Sequence, residues 1–80
     1  MVINILAFGV VKEIVGGSSV SMNFTDAITV AELVSTVKEK YPEVTKLSSF
    51  AVAVNGSYAT LDTVIKQSDE IAIIPPVSGG

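Results

Sequence analysis

The segment Pro75-Pro76-Val77-Ser78-Gly79-Gly80 is where this sequence concentrates its chemistry. A glycine carboxylate becomes an acyl donor once it is given a good leaving group. Two residues without Cβ atoms can pass a narrow channel and let reactive groups approach that carbonyl closely. The prolines at the root limit the entropy of the segment and hold it extended, with a reach of at most about 20 Å at ~3.3–3.6 Å per residue. Paired glycines would fall at a given pair of positions by chance in about one sequence in two hundred. Gly80 is therefore the expected working end, with Gly79, Ser78, Val77, Pro76 and Pro75 as its arm.

The rest of the sequence offers few rivals. It has neither histidine nor cysteine, which removes a serine–histidine pair, a thiolate nucleophile and the usual zinc or transition-metal ligand sets. The acidic pairs Glu32/Glu39 and Asp69/Glu70 read as solvated surface groups. Self-contained catalysis, a metal site and a bound cofactor are not expected. The formal charge is −3, and the five basic residues are all lysines without a cluster able to neutralise a row of phosphates, so no nucleic-acid partner is expected. No apolar run has the length of a membrane span, and no signal peptide is evident, so no membrane association and a cytoplasmic location are expected. The lack of cysteine agrees with that compartment.

Eighty residues make one domain, which buries only about 60% of the surface exposed by its unfolded chain. Yet 49% of the residues are hydrophobic and only 16% are charged, with a mean hydropathy of +0.60. That is more apolar material than so small a core readily hides, and part of it is expected to face a partner.

The elements that must position the tail follow from periodicity. Val2 to Val10 reads as a central strand, since both alternating sets, Ile3/Ile5/Ala7 and Val2/Leu6/Phe8, are apolar; it is expected to be covered on both faces. A helical turn over Lys12 to Val15 precedes a reversal at Gly16-Gly17. Ser19 to Thr25 alternates Val20, Met22 and Phe24 with polar residues, as an outer strand paired with the first would. Thr29-Val30-Ala31-Glu32 spells a capping box opening a helix to about Tyr41, with Val30, Leu33, Val34, Val37 and Tyr41 on one face and Pro42 ending it. Phe50 to Val54 and Ser57 to Thr60 flank the hairpin signal Asn55-Gly56. A short helical turn is expected within Leu61 to Gln67, then a last strand, Ile71 to Ile74, placed beside the first in the sheet interior.

This order predicts an α+β domain over residues 1–74, a mixed sheet of four to five strands with one main helix packed on one face, followed by an extended tail over 75–80. If Ile3, Ile5 and Ala7 face the helix, Phe8, Tyr58 and Ile74 are expected to share an exposed apolar patch near the tail root.

Three segments carry a family likeness: Phe8-Gly9-Val10-Val11-Lys12-Glu13-Ile14-Val15-Gly16, Ala53-Val54-Asn55, and Asp69-Glu70-Ile71-Ala72-Ile73-Ile74-Pro75-Pro76-Val77-Ser78-Gly79-Gly80. Together they resemble the MoaD family, the small sulfur-carrier subunit of molybdopterin synthase, and the likeness spans essentially the whole chain. The sequence departs from the family at Lys12, where arginine is usual, and at Ser68, where glycine commonly precedes Asp-Glu. Lysine keeps the charge and loses the bidentate fork.

The resemblance implies a ubiquitin-like β-grasp and a carrier that is a sulfur-donating co-substrate without catalytic residues of its own. It implies an E1-like (MoeB-like) adenylating enzyme that uses ATP and magnesium to activate Gly80, and a persulfide donor that converts it to a thiocarboxylate. It also implies a large (MoaE-like) synthase subunit, which receives that sulfur for cyclic pyranopterin monophosphate and docks on Phe8, Tyr58 and Ile74, whereas Lys12 is the expected contact with the activating enzyme. Alternatives of the same architecture are a carrier for thiamin thiazole synthesis or tRNA thiolation and a protein modifier conjugated through Gly80.

Overall fold

A computed structural model describes residues 1–47 and 49–75. Seven strands and two α-helices follow in order: β1 (Val2–Ala7), α1 (Gly9–Val15), β2 (Ser19–Asn23), β3 (Ile28–Thr29), α2 (Val30–Lys40), β4 (Ala51–Val54), β5 (Ser57–Tyr58), β6 (Val64–Ile65) and β7 (Ile71–Ile74), with a short 3-10 helix at Pro42–Lys46 after α2. Five strands form one mixed sheet in the order β2-β1-β7-β4-β5, and β3 pairs with β6 in a separate ladder.

The last strand lies in the middle of the sheet. β7 runs parallel to β1, with Ile5, Leu6 and Ala7 opposite Ile71, Ala72 and Ile73, and antiparallel to β4, with Ala51 opposite Ile74. β1 and β2 pair antiparallel from Val2–Asn23 to Leu6–Ser19. The parallel pair requires a long crossover, and the intervening α2 supplies its apolar cover.

Helix α2 begins as its sequence dictates. The Thr29 hydroxyl accepts from the Glu32 N–H at 3.2 Å, and the Glu32 carboxylate accepts from the Thr29 N–H at 3.1 Å. Two further early donors, the N–H groups of Val30 and Ala31, reach the Thr63 and Leu61 carbonyls at 2.9 Å each. The segment after β5 thus finishes the start of the helix. Val30, Leu33 and Val37 then enter the core with Ile3, Ile5, Val11, Val44, Ile65, Ile71 and Ile73, all no more than 2% exposed. No polar or charged side chain is buried among the described residues.

Four expectations need correction. The first strand stops at Ala7 instead of Val10, because Gly9 takes φ +54°, a left-handed conformation that ends the extended run. Val10 and Val11 consequently belong to α1, a seven-residue helix instead of the single turn expected from Lys12. β1 is covered on one face only: Ile3, Ile5 and Ala7 are buried, whereas Val2 and Asn4 are exposed and Leu6 is half-buried. Finally, Leu61 to Gln67 holds no helical turn; Val64 and Ile65 pair instead with Thr29 and Ile28.

Candidate functional site

Strand register decides which side chains share a face. Ile3, Ile5, Ile71, Ile73 and Val52 point toward α2 and are buried. The alternate set therefore lies on the open face. Leu6 stands beside Ala72, Ala72 opposite Ala53, and Ala53 opposite Tyr58, making one row across four strands. Ile74 and Ala51 begin the next row, at the level of Phe8, which follows Ala7 at the end of β1.

Phe8, Tyr58 and Ile74 are thus brought to one sheet face, flanking a centre made of alanines. Phe8 is 49% and Tyr58 76% exposed, while Ile74 is half-buried. Toward β2 the same face turns polar, with Asn4, Ser19, Ser21 and Asn23, and the Ser21 hydroxyl donates to Asn4 Oδ1 at 2.6 Å. The apolar half is the half that adjoins Pro75.

The root of the tail is fixed by contact as well as by pairing. A Cβ placed on Gly9 would stand 3.0 Å from Pro75 Cγ, so the turn between β1 and α1 packs directly on the proline. A side chain here would press on the proline, and the φ of +54° favours glycine independently. Pro76, Val77, Ser78, Gly79 and Gly80, named from the sequence as the reactive arm, lie outside the described residues.

Phe8 also occupies the N-cap of α1, with φ −128° and ψ 154°, and makes no capping side-chain bond. Serine, threonine, aspartate or asparagine is favoured there because its side-chain oxygen can accept from an orphan N–H. A large, half-exposed aromatic in place of a cap is a local rule broken beside the tail root, as happens where function competes with stability. Periodicity could not have found this; the φ/ψ values of a cap do. Lys12 is exposed on α1, where its carbonyl accepts from the Gly16 and Gly17 N–H groups at 3.0 and 3.1 Å.

The start of β7 is held by a polar clasp that sequence reading passed over. Asn55 Nδ2 donates to Asp69 Oδ1 and the Glu70 N–H donates to Asn55 Oδ1, both at 2.9 Å. The Asn55 N–H donates to the Glu70 carbonyl at 2.8 Å. The Lys66 N–H donates to Asp69 Oδ2 at 2.8 Å. The Lys66 backbone donor, and after it the Asn55 amide, hold the Asp69 carboxyl below its ordinary value of 3.8. The signal available in the sequence was the pair Asn55-Gly56 followed at a distance by Asp69-Glu70.

A groove runs between α2 and the β4–β5 edge, lined among others by Val34, Leu47, Phe50 and Leu61, and Tyr58 borders it from the edge strand. Lys38 Nζ lies 5.9 Å from the Phe50 ring centre. This lining carries neither carboxylate nor imidazole nor thiol. Among the described residues no group of three or more potential ligands could hold a metal ion, and no helix is long and apolar enough to cross a membrane.

A five-stranded mixed sheet with parallel first and last strands and a helix across one face defines a ubiquitin-like β-grasp protein. Within that class the chain belongs to the ThiS family, whose model matches residues 5–80. It is 42% identical to the molybdopterin synthase sulfur carrier subunit of Dictyostelium discoideum, over 95% of this chain and 93% of that protein. Among solved structures it resembles the complex of subunits 1 and 2 of the molybdopterin-converting factor from Helicobacter pylori, with a TM-score of 0.70, 27% identity and full coverage of both chains. The small archaeal modifier protein 1 of Haloferax volcanii shares the fold at a TM-score of 0.82 and 21% identity, over 95% of this chain and 98% of that one.

Proposed function

We propose that this protein is the sulfur-carrier subunit of a molybdopterin synthase, acting in the cytoplasm. The observation that carries the reading is the apolar half of an open sheet face lying against the anchored root of a diglycine segment. A protein of this kind needs one surface to hold its partner and one arm to reach into it. The likeness to relatives that bear the same function along nearly their whole length supports it.

In this reading the Gly80 carboxylate attacks ATP, with magnesium, in an E1-like adenylating enzyme, and pyrophosphate leaves. A persulfide sulfur then displaces AMP, and a thiol cleaves the resulting acyl disulfide to leave the thiocarboxylate. The arm delivers that sulfur to cyclic pyranopterin monophosphate in the large subunit, which contributes the catalytic groups. With no thiol in the chain, the terminal carbonyl is the natural place to hold transferable sulfur. Phe8, Tyr58 and Ile74 frame the docking face, and Lys12 faces the activating enzyme.

The test is the intact mass after incubation with ATP, magnesium, an E1-like enzyme of the molybdopterin pathway and a persulfide donor. The expected result is exchange of one oxygen for sulfur at Gly80, slowed in Gly80→Ala while the fold is kept. An unchanged mass with an enzyme that activates a known carrier would refute the reading. Isopeptide-linked ladders ending in this C-terminus would assign it to protein modification instead.

A further inference from the structure

Asn55 and Gly56 form the two-residue connection between β4 and β5, both at positive φ, 52° and 84°. In an Asn-Gly pair the glycine nitrogen is unhindered and can add to the asparagine side-chain carbonyl carbon, which makes this the most labile setting for a residue type already prone to thermal damage. In this fold both ends of that amide are engaged: Nδ2 with Asp69 Oδ1, and Oδ1 with the Glu70 N–H, each at 2.9 Å. The Asp69 carboxylate is steadied in turn by the Lys66 N–H at 2.8 Å.

We infer that Asn55 is a modification site, a latent point of deamidation that the Asn55–Asp69–Glu70 clasp keeps closed. A bond forms between the Gly56 nitrogen and Asn55 Cγ, the Cγ–Nδ2 bond breaks, and the Gly56 amide proton leaves with the departing nitrogen as ammonia. Water then opens the five-membered imide at either carbonyl, leaving aspartate or isoaspartate at position 55. No oxidant or reductant takes part.

Closing the ring requires the amide to leave both of its partners, so the reaction proceeds from a locally opened hairpin. It also runs one way. The product places a carboxylate where a donor stood, facing the Asp69 carboxylate, and an isoaspartate lengthens the backbone of a two-residue turn. The clasp cannot then re-form, and β7 loses its tie to the hairpin at the end opposite the tail root. Two other asparagines, Asn4 and Asn23, precede Ile5 and Phe24, whose side chains hinder the attacking nitrogen.

The experiment compares the wild-type chain with Asp69→Ala and with Val37→Ala in mildly alkaline buffer at physiological temperature. Intact mass and peptide mapping follow each asparagine. Asp69→Ala removes one partner of the clasp and is expected to modify position 55 about tenfold faster than wild type, a factor set by the loss of one hydrogen bond to a charged group. Val37→Ala weakens the core but leaves the clasp, and is expected to stay within about twofold of wild type. Asn4 and Asn23 should remain unmodified over the same time. Equal rates for native and urea-unfolded wild type would overturn the inference, as would a Val37→Ala rate matching that of Asp69→Ala.

Discussion

Phe8 stands at a position where a polar residue would serve the fold better. It is the N-cap of α1 and satisfies none of the helix's first donors with its side chain. Phe8→Asp would supply that cap, a contribution of about 0.5–2 kcal/mol, while placing a charge in the middle of the proposed docking face. The expected outcome is a melting temperature equal to or above wild type together with a clear loss of affinity for the large synthase subunit by calorimetry. A large drop in melting temperature would assign Phe8 to the core. Gly9 is held more tightly. Gly9→Ala must adopt positive φ, at about 1–2 kcal/mol, and push Pro75 aside from 3.0 Å. Thermal denaturation should show the loss, and the displaced tail root should slow activation at Gly80. Asp69 sets a pH dependence. Its folded value is lowered, so its contribution is present above the unfolded carboxylate value and is lost as pH falls through the folded one. Stability measured from pH 5 downward, an interval chosen from the ordinary carboxylate value of about 4, should decline in wild type, and less steeply in Asp69→Ala.

At the scale of elements, legibility follows how local the determinants are. The start of α2 was readable because a capping box lies within four consecutive residues, Thr29 to Glu32, and both of its bonds form. Replacing Thr29 by alanine should lower stability by about 1 kcal/mol, seen as a fall of several degrees in melting temperature. The Asn55-Gly56 turn was readable for the same reason. α1 was read short because Val10 and Val11 favour strands and continue the apolar pattern of β1; only the backbone at Gly9 separates the two elements. The Val64–Ile65 pair escaped notice because two residues show no period, and its partner, Ile28–Thr29, is far away in sequence. The most instructive miss is the second face of β1. An apolar set predicts removal from water without saying whether the cover is intramolecular, so the second face reads as covered although Leu6 lies on the open face, while Phe8, expected in the exposed patch, is exposed.

For the whole molecule, the two sides of the sheet divide the work. One is closed by α2 and the 3-10 segment and stabilises the domain; the other carries Leu6, Phe8 and Ile74 toward Pro75 and is largely polar toward β2, with Val2 the exposed apolar residue at the far end. The proposed docking face and the groove beside α2 meet at the β4–β5 edge, where Ala51 and Tyr58 border both, and only alanines stand between Leu6 and Tyr58 in their row. The order of the five strands of the main sheet around α2 was legible, as was the central place of β7, because the most apolar runs stand at the two ends of the sequence. The clasp was not, since it joins polar groups whose individual identities are ordinary on a surface.

The central place of β7 has a consequence for synthesis. β1, β2 and α2 leave the ribosome first, but β4 and β5 cannot join β1 and β2 until the strand between them exists. The five-stranded sheet is therefore completed only with the four residues that directly precede the prolines. A chain truncated before Ile71 would lack Ile71 and Ile73 from its core, so the activating enzyme proposed above, recognising a folded surface, would encounter only molecules whose synthesis had already passed β7.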